Sequence, residues 1–337
     1  MTTQLQDYFT HWLPLIDDEM KAVVGATSDR TYAAFFGMLH YHLGWADAAF
    51  APTRSKSGKR IRPILCLLAC ETAGGDPGLA LPAAAAIELL HNFSLIHDDV
   101  EDVSDVRRGR PTVWKRWGIA QAINAGDGLY TLAHMGFHRL SSLGVPAQRQ
   151  VAARKRFDRT CLQLTQGQFL DLSFETRDSV SIHDYLEMID GKTAALVSGS
   201  AAIGALIAGS DRLERYAAFG RGLGLAFQIE DDLLGIWGDP SITGKSAASD
   251  IASRKKSLPV LYGLENSEEL RALYAGRDVD VPRAVRVLER LGAREYAQTI
   301  ADEYTQAAMA ALDEAAPQGA TGDILRDLAR SLLGRRA

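Results

Sequence analysis

Apolar and polar residues follow one another along most of the chain with the 3.6-residue period of an α-helix. Long stretches rich in alanine and leucine carry a charged residue every three or four positions, which is the pattern of helices with one buried face. Segments rich in β-branched residues with the period of two that marks a strand are scarce. The pattern therefore predicts an all-α protein.

The helices that this periodicity predicts are separated by short clusters of glycine, proline and aspartate, such as Gly74-Gly75-Asp76-Pro77. No linker rich in proline, glycine and serine divides the sequence, and no repeat with a period of about 20–50 residues is evident. We therefore predict a single all-α domain over residues 1–337. The predicted helices cover residues 5–25, 30–50, 58–74, 80–103, 118–142, 146–175, 182–190, 193–209, 211–237, 258–275, 281–290, 292–315 and 320–334.

Composition narrows the class of protein. The 337 residues are 47% hydrophobic and 23% charged, with a net charge of −5, so the sequence is globular, and its acidity argues against a nucleic-acid partner. Three cysteines are too few for a disulfide framework, and the first residues lack the basic and apolar regions of a secretory signal. We expect a cytoplasmic protein in which the uncharged stretch 193–210 is a buried helix and not a membrane span.

The first candidate site is the acidic run His97-Asp98-Asp99-Val100-Glu101-Asp102, which follows an apolar helix. Residues i and i+4 of a helix lie about 40° apart, so Asp98 and Asp102 share a face. Two carboxylates about 4 Å apart repel by about 4 kcal/mol at an effective dielectric near 20, which a cation would offset. Oxygen ligands without a neighbouring cysteine favour Mg²⁺. Taken alone, the motif is explained equally well by a solvated acidic helix end.

A second acidic pair changes this balance. Asp231 and Asp232 also follow an apolar helix, 133 residues (231 minus 98) after Asp98. Apolar helices that end in paired carboxylates are costly unless a ligand offsets the charge. We therefore expect the two motifs to hold a diphosphate together through several metal ions.

Cationic residues cluster beside both motifs in this acidic protein, which indicates a small polyphosphate ligand. For Lys56 and Arg110 the simpler interpretation is solvated surface charge. The cations that we single out are Lys59 and Arg62, Arg107 and Arg108, Lys192 beside Thr193, Lys245, and Lys255.

Over residues 55–260 the chain resembles the trans-isoprenyl diphosphate synthases, or polyprenyl synthetases. The resemblance rests on the ordered motifs SGKRIRP (57–63), ELLHNFSLIHDDVEDVSDVRRGRPTVW (88–114), GQFLDL (167–172), DGKTAAL (190–196), FQIEDDLL (227–234) and TGKSAASDIASRKKSLP (243–259). It implies the isoprenoid synthase helical bundle around a central apolar pocket, and a homodimer. It also implies head-to-tail condensation of isopentenyl diphosphate with an allylic diphosphate.

The resemblance also implies a role for each candidate residue. Three Mg²⁺ ions would bind the allylic diphosphate, with Asp98, Asp102 and Asp231 as direct ligands and Asp99 and Asp232 as supporting carboxylates. The allylic diphosphate would contact Arg107, Lys192, Lys245 and Lys255, and isopentenyl diphosphate would contact Lys59, Arg62, His91 and Arg108. Thr193 and Gln228 would lie beside the cationic transition state. One departure is Gly235, where the family's second motif carries a third aspartate; we expect activity to survive, because the first aspartate is the critical one in the family.

Product length is predicted from the helix that precedes Asp98. In the family, bulk four and five residues before the first aspartate limits the length of the tail. Here Ser94 leaves room and Phe93 narrows the pocket, a pattern that resembles geranylgeranyl diphosphate synthases.

Three alternatives stay open. The product could have the farnesyl length or be longer. A class I terpene cyclase shares the fold but needs no isopentenyl site, so Lys59, Arg62 and Arg108 favour elongation. A noncatalytic subunit of a heteromeric synthase should have lost its aspartates, whereas here only position 235 is changed.

Overall fold

The computed structural model describes residues 2–25, 29–55, 58–177, 179–239, 248–276 and 278–333. Nearly all of the regular structure is helical, with a short antiparallel pair of strands, β1 (Val106–Arg107) and β2 (Arg110–Pro111). The helices are α1 (Thr3–Val24), α2 (Ala33–Leu43), α3 (Ile61–Thr72), α4 (Pro77–Glu101), α5 (Val113–Trp117), α6 (Ile119–Gly136), α7 (Ala147–Thr176), α8 (Ile182–Ile189), α9 (Ala195–Ala208), α10 (Leu213–Trp237), α11 (Ser249–Ala252), α12 (Leu258–Asn266), α13 (Glu268–Ala275), α14 (Val281–Arg290), α15 (Ala293–Ala315) and α16 (Thr321–Leu333).

The all-α prediction is confirmed, and most predicted helices are present with ends displaced by a few residues. One predicted helix, 258–275, is two, because the side chain of Ser267 accepts a hydrogen bond from the backbone N–H of Leu270 and starts α13. The predicted helix 193–209 is preceded by a π-helical turn, Asp190–Ala194, which joins it to α8. The strand pair and the short helices α5 and α11 were not predicted.

The chain forms two compact units. The N-terminal unit comprises residues 2–157 and 200–211. Its central helix is α4, which packs against α1, α3 and α6. Asp76 caps α4 by accepting from the N–H of Gly78 at 2.8 Å, and Pro77 occupies the first turn, where its missing N–H costs nothing. This cap sets the start of the helix that carries the first acidic motif.

The C-terminal unit comprises residues 158–199 and 212–337. Helix α10 is its centre and packs against α12, α15 and the π-helical turn. A Cβ atom at Gly224 would lie 2.6 Å from Cα of Ala194, so glycine is what allows α10 to approach that turn. The two units are defined only by the contacts that the residues of each unit make with one another. The prediction of one domain over residues 1–337 stays a prediction.

Two helical stretches of the described residues are long and apolar enough to cross a membrane. They are Pro77–Glu101 and Ile182–Ala208, and 67% and 78% of their most apolar windows are buried inside the protein. Burial of this extent is what the core helices of a water-soluble protein show, and it agrees with the prediction of a buried helix after Lys192.

Candidate active site

The first acidic motif lies at the end of α4. Asp98 and Asp99 are in its last turn, and Asp102 caps it, its backbone N–H donating to the carbonyl oxygen of Asp98 at 2.8 Å. Asp98 is half-buried and Asp102 is exposed, whereas Asp99 is 1% exposed. Asp98 and Asp102 are therefore the accessible carboxylates of this motif, one helical turn apart.

Asp99 is directed into the protein instead. Nε of Arg107 donates to its Oδ1 at 2.7 Å, while its buried Oδ2 has no hydrogen-bond partner among the described residues. Burial raises the pKa of Asp99, and Arg107 opposes this shift. A buried carboxylate oxygen without a donor is costly, so a metal-bound water or another donor at this position would stabilise the site.

The arginines that follow the motif are placed by the strand pair. Val106 pairs with Pro111 and Arg107 with Arg110, and the turn residues Arg108 and Gly109 have φ values of 54° and 77°. Two successive left-handed residues are typical of the tight turn whose twist matches a hairpin.

Arg110 anchors this hairpin. Its Nη2 donates to the carbonyl oxygen of Ala46 at 2.8 Å, and its guanidinium lies 3.9 Å from the centre of the Tyr41 ring. Arg110 is therefore a structural residue and not simply solvated charge, an arrangement that the sequence did not predict.

The residues assigned to isopentenyl diphosphate form a cationic group in the N-terminal unit. Nη1 of Arg62 lies 3.2 Å from Nε2 of His91, and a Cβ atom at Gly58 would lie 3.0 Å from Nη2 of Arg108. The close approach at Gly58 brings the loop that carries Lys59 beside Arg108. Burial, followed by Arg62 and Arg108, lowers the pKa of His91 well below its usual value. A neutral imidazole surrounded by guanidinium groups is an environment suited to an anion.

The second acidic motif lies near the end of α10, in the C-terminal unit. Asp231 is half-buried, whereas Asp232 is fully buried. Asp232 accepts hydrogen bonds from Tyr185 Oη at 2.6 Å, Lys255 Nζ at 2.8 Å, Gln228 Nε2 at 3.3 Å and the backbone N–H of Leu258 at 3.3 Å. Burial opposes the charge on Lys255, but Asp232 and then Asp250 raise its pKa above the usual value. Asp232 therefore holds Lys255 in place, and Asp231 is the accessible carboxylate.

A carboxylate lies against α10 at position 235 even though that residue is glycine. A Cβ atom at Gly235 would lie 2.4 Å from both Cγ and Oδ2 of Asp250, which is on the short helix α11. Oδ2 of Asp250 is 3.6 Å from Nζ of Lys255. Asp250 was not predicted, because its only signal is an aspartate 15 residues (250 minus 235) beyond the gap in the motif. Asp239, which follows the end of α10 at Trp237, lies outside the helix.

Thr193 and Gln228 are hydrogen-bonded to each other. Oγ1 of Thr193 donates to Oε1 of Gln228 at 2.8 Å, and the amide nitrogen of Gln228 donates to Asp232. This chain fixes the orientation of the Gln228 amide. The neighbouring Lys192 pairs with Asp171 of α7, and a Cβ atom at Gly167 would overlap the backbone of Lys192, so the glycine permits this close approach.

The residues predicted to set product length lie on α4. The ring of Phe93 packs edge-on against His97 with centroids 4.7 Å apart, and against Tyr130 of α6 at 5.1 Å. Ser94 is half-buried, and its hydroxyl donates to the carbonyl oxygen of His91. Tyr130 continues the aromatic contact to His134 at 4.6 Å, so the bulk near Phe93 comes from two helices.

The structure thus groups the predicted residues within each unit, and Lys245 lies outside the described residues. That the two groups act on one diphosphate stays a prediction. No set of three or more histidine, cysteine, aspartate or glutamate side chains is preassembled as a metal cage in the described parts of the chain. The accessible pair Asp98 and Asp102 and the unpartnered Oδ2 of Asp99 do fit Mg²⁺, which keeps several waters and is commonly bound by one or two carboxylates together with phosphate oxygens.

Comparisons with known proteins agree with this geometry. Residues 44–291 match the family model of polyprenyl synthetase. A geranylgeranyl diphosphate synthase of Mycobacterium tuberculosis is 46% identical over 291 residues, covering 82% of this chain and 81% of the relative. A (2E,6E)-farnesyl diphosphate synthase of Mycobacterium bovis is 47% identical over 237 residues, covering 70% of this chain and 65% of the relative.

Solved structures give the same result. The crystal structure of a polyprenyl synthetase from Streptomyces coelicolor matches with a TM-score of 0.87 and 35% identity, covering 99% of this chain and 100% of the other. A geranylgeranyl pyrophosphate synthetase from Pyrococcus horikoshii matches with a TM-score of 0.86, 32% identity and 99% coverage of both chains. These matches confirm the resemblance, the isoprenoid synthase fold and a prenyltransferase activity that makes short-chain prenyl diphosphates. The chain belongs to the polyprenyl synthetase family of trans-isoprenyl diphosphate synthases.

Proposed function

We propose that this protein condenses isopentenyl diphosphate head to tail with allylic diphosphates, in a Mg²⁺-dependent reaction, and releases geranylgeranyl diphosphate. The observation that carries the proposal is the placement of the Arg62 and Arg108 guanidinium groups around His91, beside the loop that carries Lys59, which is additional to the carboxylates of the two acidic motifs. A cyclase, which ionises one diphosphate substrate, has no use for a second diphosphate site.

In the proposed reaction the C–O bond of the allylic diphosphate breaks and the diphosphate leaves with the electron pair. The alkene of isopentenyl diphosphate attacks the allylic cation to form a C–C bond. A proton then leaves C2 of the isopentenyl unit, so that a new double bond forms. The released diphosphate accepts that proton. Bound Mg²⁺ would supply electrostatic stabilisation of the departing diphosphate.

The residues of this chain have defined tasks in that scheme. Asp98, Asp102 and Asp231, the accessible carboxylates, would hold the metal ions, of which we expect three by resemblance. Arg107, Lys192, Lys245 and Lys255 would bind the allylic diphosphate. Oγ1 of Thr193 and Oε1 of Gln228 would direct partial negative charge at the allylic cation, and the hydrogen bond of Gln228 to Asp232 would keep its amide oriented.

Geranylgeranyl length is proposed from the residues below Asp98. Phe93 and Tyr130 narrow the space beside α4, whereas the small Ser94 leaves room. The similarity to geranylgeranyl diphosphate synthases of Mycobacterium tuberculosis and Sulfolobus acidocaldarius supports this length. Farnesyl diphosphate is the second candidate, supported by the 47% identity to a farnesyl diphosphate synthase.

We further propose that residues 1–337 act as one synthase domain, in a cytoplasmic homodimer. The family match over residues 44–291 includes parts of both compact units, and the three cysteines, which all lie within the described residues, are buried and form no disulfide. Helices α6 and α7 carry large apolar side chains that a second copy would cover. These are Ile119, Ile123, Met135, Val151, Leu162 and Phe169, all between 43% and 68% exposed.

A product assay tests the proposal. The purified protein is incubated with Mg²⁺, isopentenyl diphosphate and one allylic diphosphate at a time, and the product is identified by mass spectrometry. A twenty-carbon diphosphate supports the proposal, and a fifteen-carbon product supports the farnesyl alternative. A cyclic hydrocarbon indicates a cyclase, and no turnover of any primer indicates a noncatalytic subunit. Arg62→Ala should abolish condensation, whereas Arg154→Ala, an exposed arginine of the same unit, should not.

A further inference from the structure

Arg60 lies between two proposed substrate-binding residues, Lys59 and Arg62, but its side chain is buried. It is 5% exposed and precedes the first residue of α3 with a φ of 51°, in the left-handed region that non-glycine residues seldom adopt. Such a conformation costs free energy and persists only where surrounding contacts hold it. The contacts of the Arg60 guanidinium are therefore what maintain the shape of this loop.

Those contacts join three helices of the N-terminal unit. Nη2 of Arg60 donates to Oδ1 of Asp17 on α1 at 2.7 Å, and Nη1 lies 3.2 Å from Oε1 of Glu88 on α4. Oε1 of Glu88 also accepts a hydrogen bond from Nδ2 of Asn92 at 2.9 Å. The side chains of Arg60 and Glu88 are each only 3% exposed. The result is a polar chain, Asp17–Arg60–Glu88–Asn92, which is buried except at the 35% exposed side chain of Asp17 and which we call the buried network.

Stability alone does not explain a buried ion pair. The desolvation of two charges offsets much of their attraction, and replacing both partners with apolar residues of similar volume is often neutral or stabilising. Removing one partner, in contrast, leaves an uncompensated charge. We therefore look for the function of the buried network in the residues that it holds in position.

The neighbours of the buried network are the proposed isopentenyl diphosphate-binding residues. Arg60 is adjacent to Lys59 in sequence and two residues before Arg62, and Glu88 is three residues before His91 on α4. Burial lowers the pKa of Arg108, whereas Glu88 acts in the opposite direction and helps Arg108 stay charged. The carboxylate of Glu88 thus holds the loop through Arg60 and also favours the charged form of Arg108.

We propose that Arg60 and Glu88 are positioning residues for isopentenyl diphosphate: their ion pair fixes the loop that carries Lys59 and the start of α3 that carries Arg62. This inference rests on the proposed function. Neither residue contacts the substrate. Their effect is on the affinity for the homoallylic diphosphate and not on the affinity for the allylic one.

The test compares Arg60→Met, Glu88→Met and the double variant Arg60→Met/Glu88→Met. We expect each single variant to unfold at a lower temperature and the double variant to recover most of that loss. If the pair positions the loop, the double variant still raises KM for isopentenyl diphosphate at least tenfold, with KM for the allylic substrate changed less than twofold. Recovery of both KM values in the double variant, or an equal rise in both, would overturn the proposal.

A binding measurement gives a readout independent of turnover. Isopentenyl diphosphate alone cannot react, so its binding to the free enzyme can be followed by calorimetry. We expect at least tenfold weaker binding to the double variant and to Arg60→Lys, which keeps the charge but loses the planar fork that reaches both carboxylates. Unchanged binding to Arg60→Lys overturns the proposal even if the other variants fail to fold.

Glu19→Gln provides the matched control, because Glu19 lies on α1 like Asp17 but pairs with Arg139, away from the loop, with Nη2 and Oε2 3.1 Å apart. Asp17→Asn should weaken isopentenyl diphosphate binding, and Glu19→Gln should not; equal effects of the two would count against the inference. Wild-type protein that neither binds nor condenses isopentenyl diphosphate would instead refute the proposed function.

Discussion

Restoring an aspartate at position 235 should harm this protein, although its family carries one there. A Cβ atom at Gly235 would lie 2.4 Å from Cγ of Asp250, and overpacking of this kind costs about 1–3 kcal/mol. A second carboxylate about 4 Å from that of Asp250 adds a repulsion of about 4 kcal/mol at an effective dielectric near 20. Lys255, 3.6 Å from Oδ2 of Asp250, offsets part of it. We expect Gly235→Asp to lower the free energy of unfolding by about 3–5 kcal/mol, a large share of the total for most proteins.

Guanidinium unfolding of matched variants separates the two contributions. Gly235→Asn has nearly the same shape without the charge, so it should lose only the overpacking cost of about 1–3 kcal/mol. The double variant Gly235→Asp/Asp250→Ser has a single carboxylate in this space, so the repulsion is removed. It should therefore be more stable than Gly235→Asp alone. Wild-type stability of Gly235→Asp would refute the reasoning, as would a double variant no more stable than the single one.

Tyr185→Phe removes a hydrogen bond to the buried carboxylate of Asp232 and should cost about 1.5–3 kcal/mol of unfolding free energy and lower kcat; a change below about 0.5 kcal/mol in guanidinium unfolding would contradict this. Phe93→Ala should shift products beyond twenty carbons in the product assay, and an unchanged product would mean that other residues set the length. Burial, followed by nearby arginines, holds the pKa values of His42 and His91 well below their usual value, so these histidines stay neutral in the native state when the unfolded chain would protonate them. Stability should then be greatest above about pH 6.5 and fall below it by up to about 1.4 kcal/mol per pH unit for each histidine; His42→Gln should reduce that slope between pH 5 and 7, and an unchanged slope would contradict the assignment.

The helices were predictable because their signal is local. The apolar period of α4 predicted residues 80–103, and the helix spans Pro77–Glu101. The error at its start arises because Asp76 and Pro77 were interpreted as a break, whereas an aspartate cap followed by proline begins a helix. The same local argument placed Asp98 and Asp102 on one face, one turn apart, as they are.

The contacts around the motifs were not predictable, because they join residues far apart in sequence. Tyr185 is 47 residues from Asp232, yet its hydroxyl bonds to that carboxylate. Asp250 occupies the space at Gly235 because α11 brings it there. The burial of Arg60 was not predicted, because no periodicity shows that it would pair with Glu88, 28 residues (88 minus 60) along the chain. Partners of this kind follow from packing and not from any repeat in the sequence.

The second aspartate has the same environment in both acidic motifs. Asp99 is buried and pairs with Arg107, and Asp232 is buried and pairs with Lys255, whereas the aspartates before them are half-buried. A buried carboxylate is destabilising unless a cation pairs with it, and the ion pair fixes the position of that cation. We therefore propose different roles for the paired aspartates: the first, which is accessible, would hold metal, and the second fixes the cation proposed to bind the allylic diphosphate. It follows that an asparagine at position 99 or 232 should impair diphosphate binding by displacing Arg107 or Lys255, even where the accessible carboxylates remain.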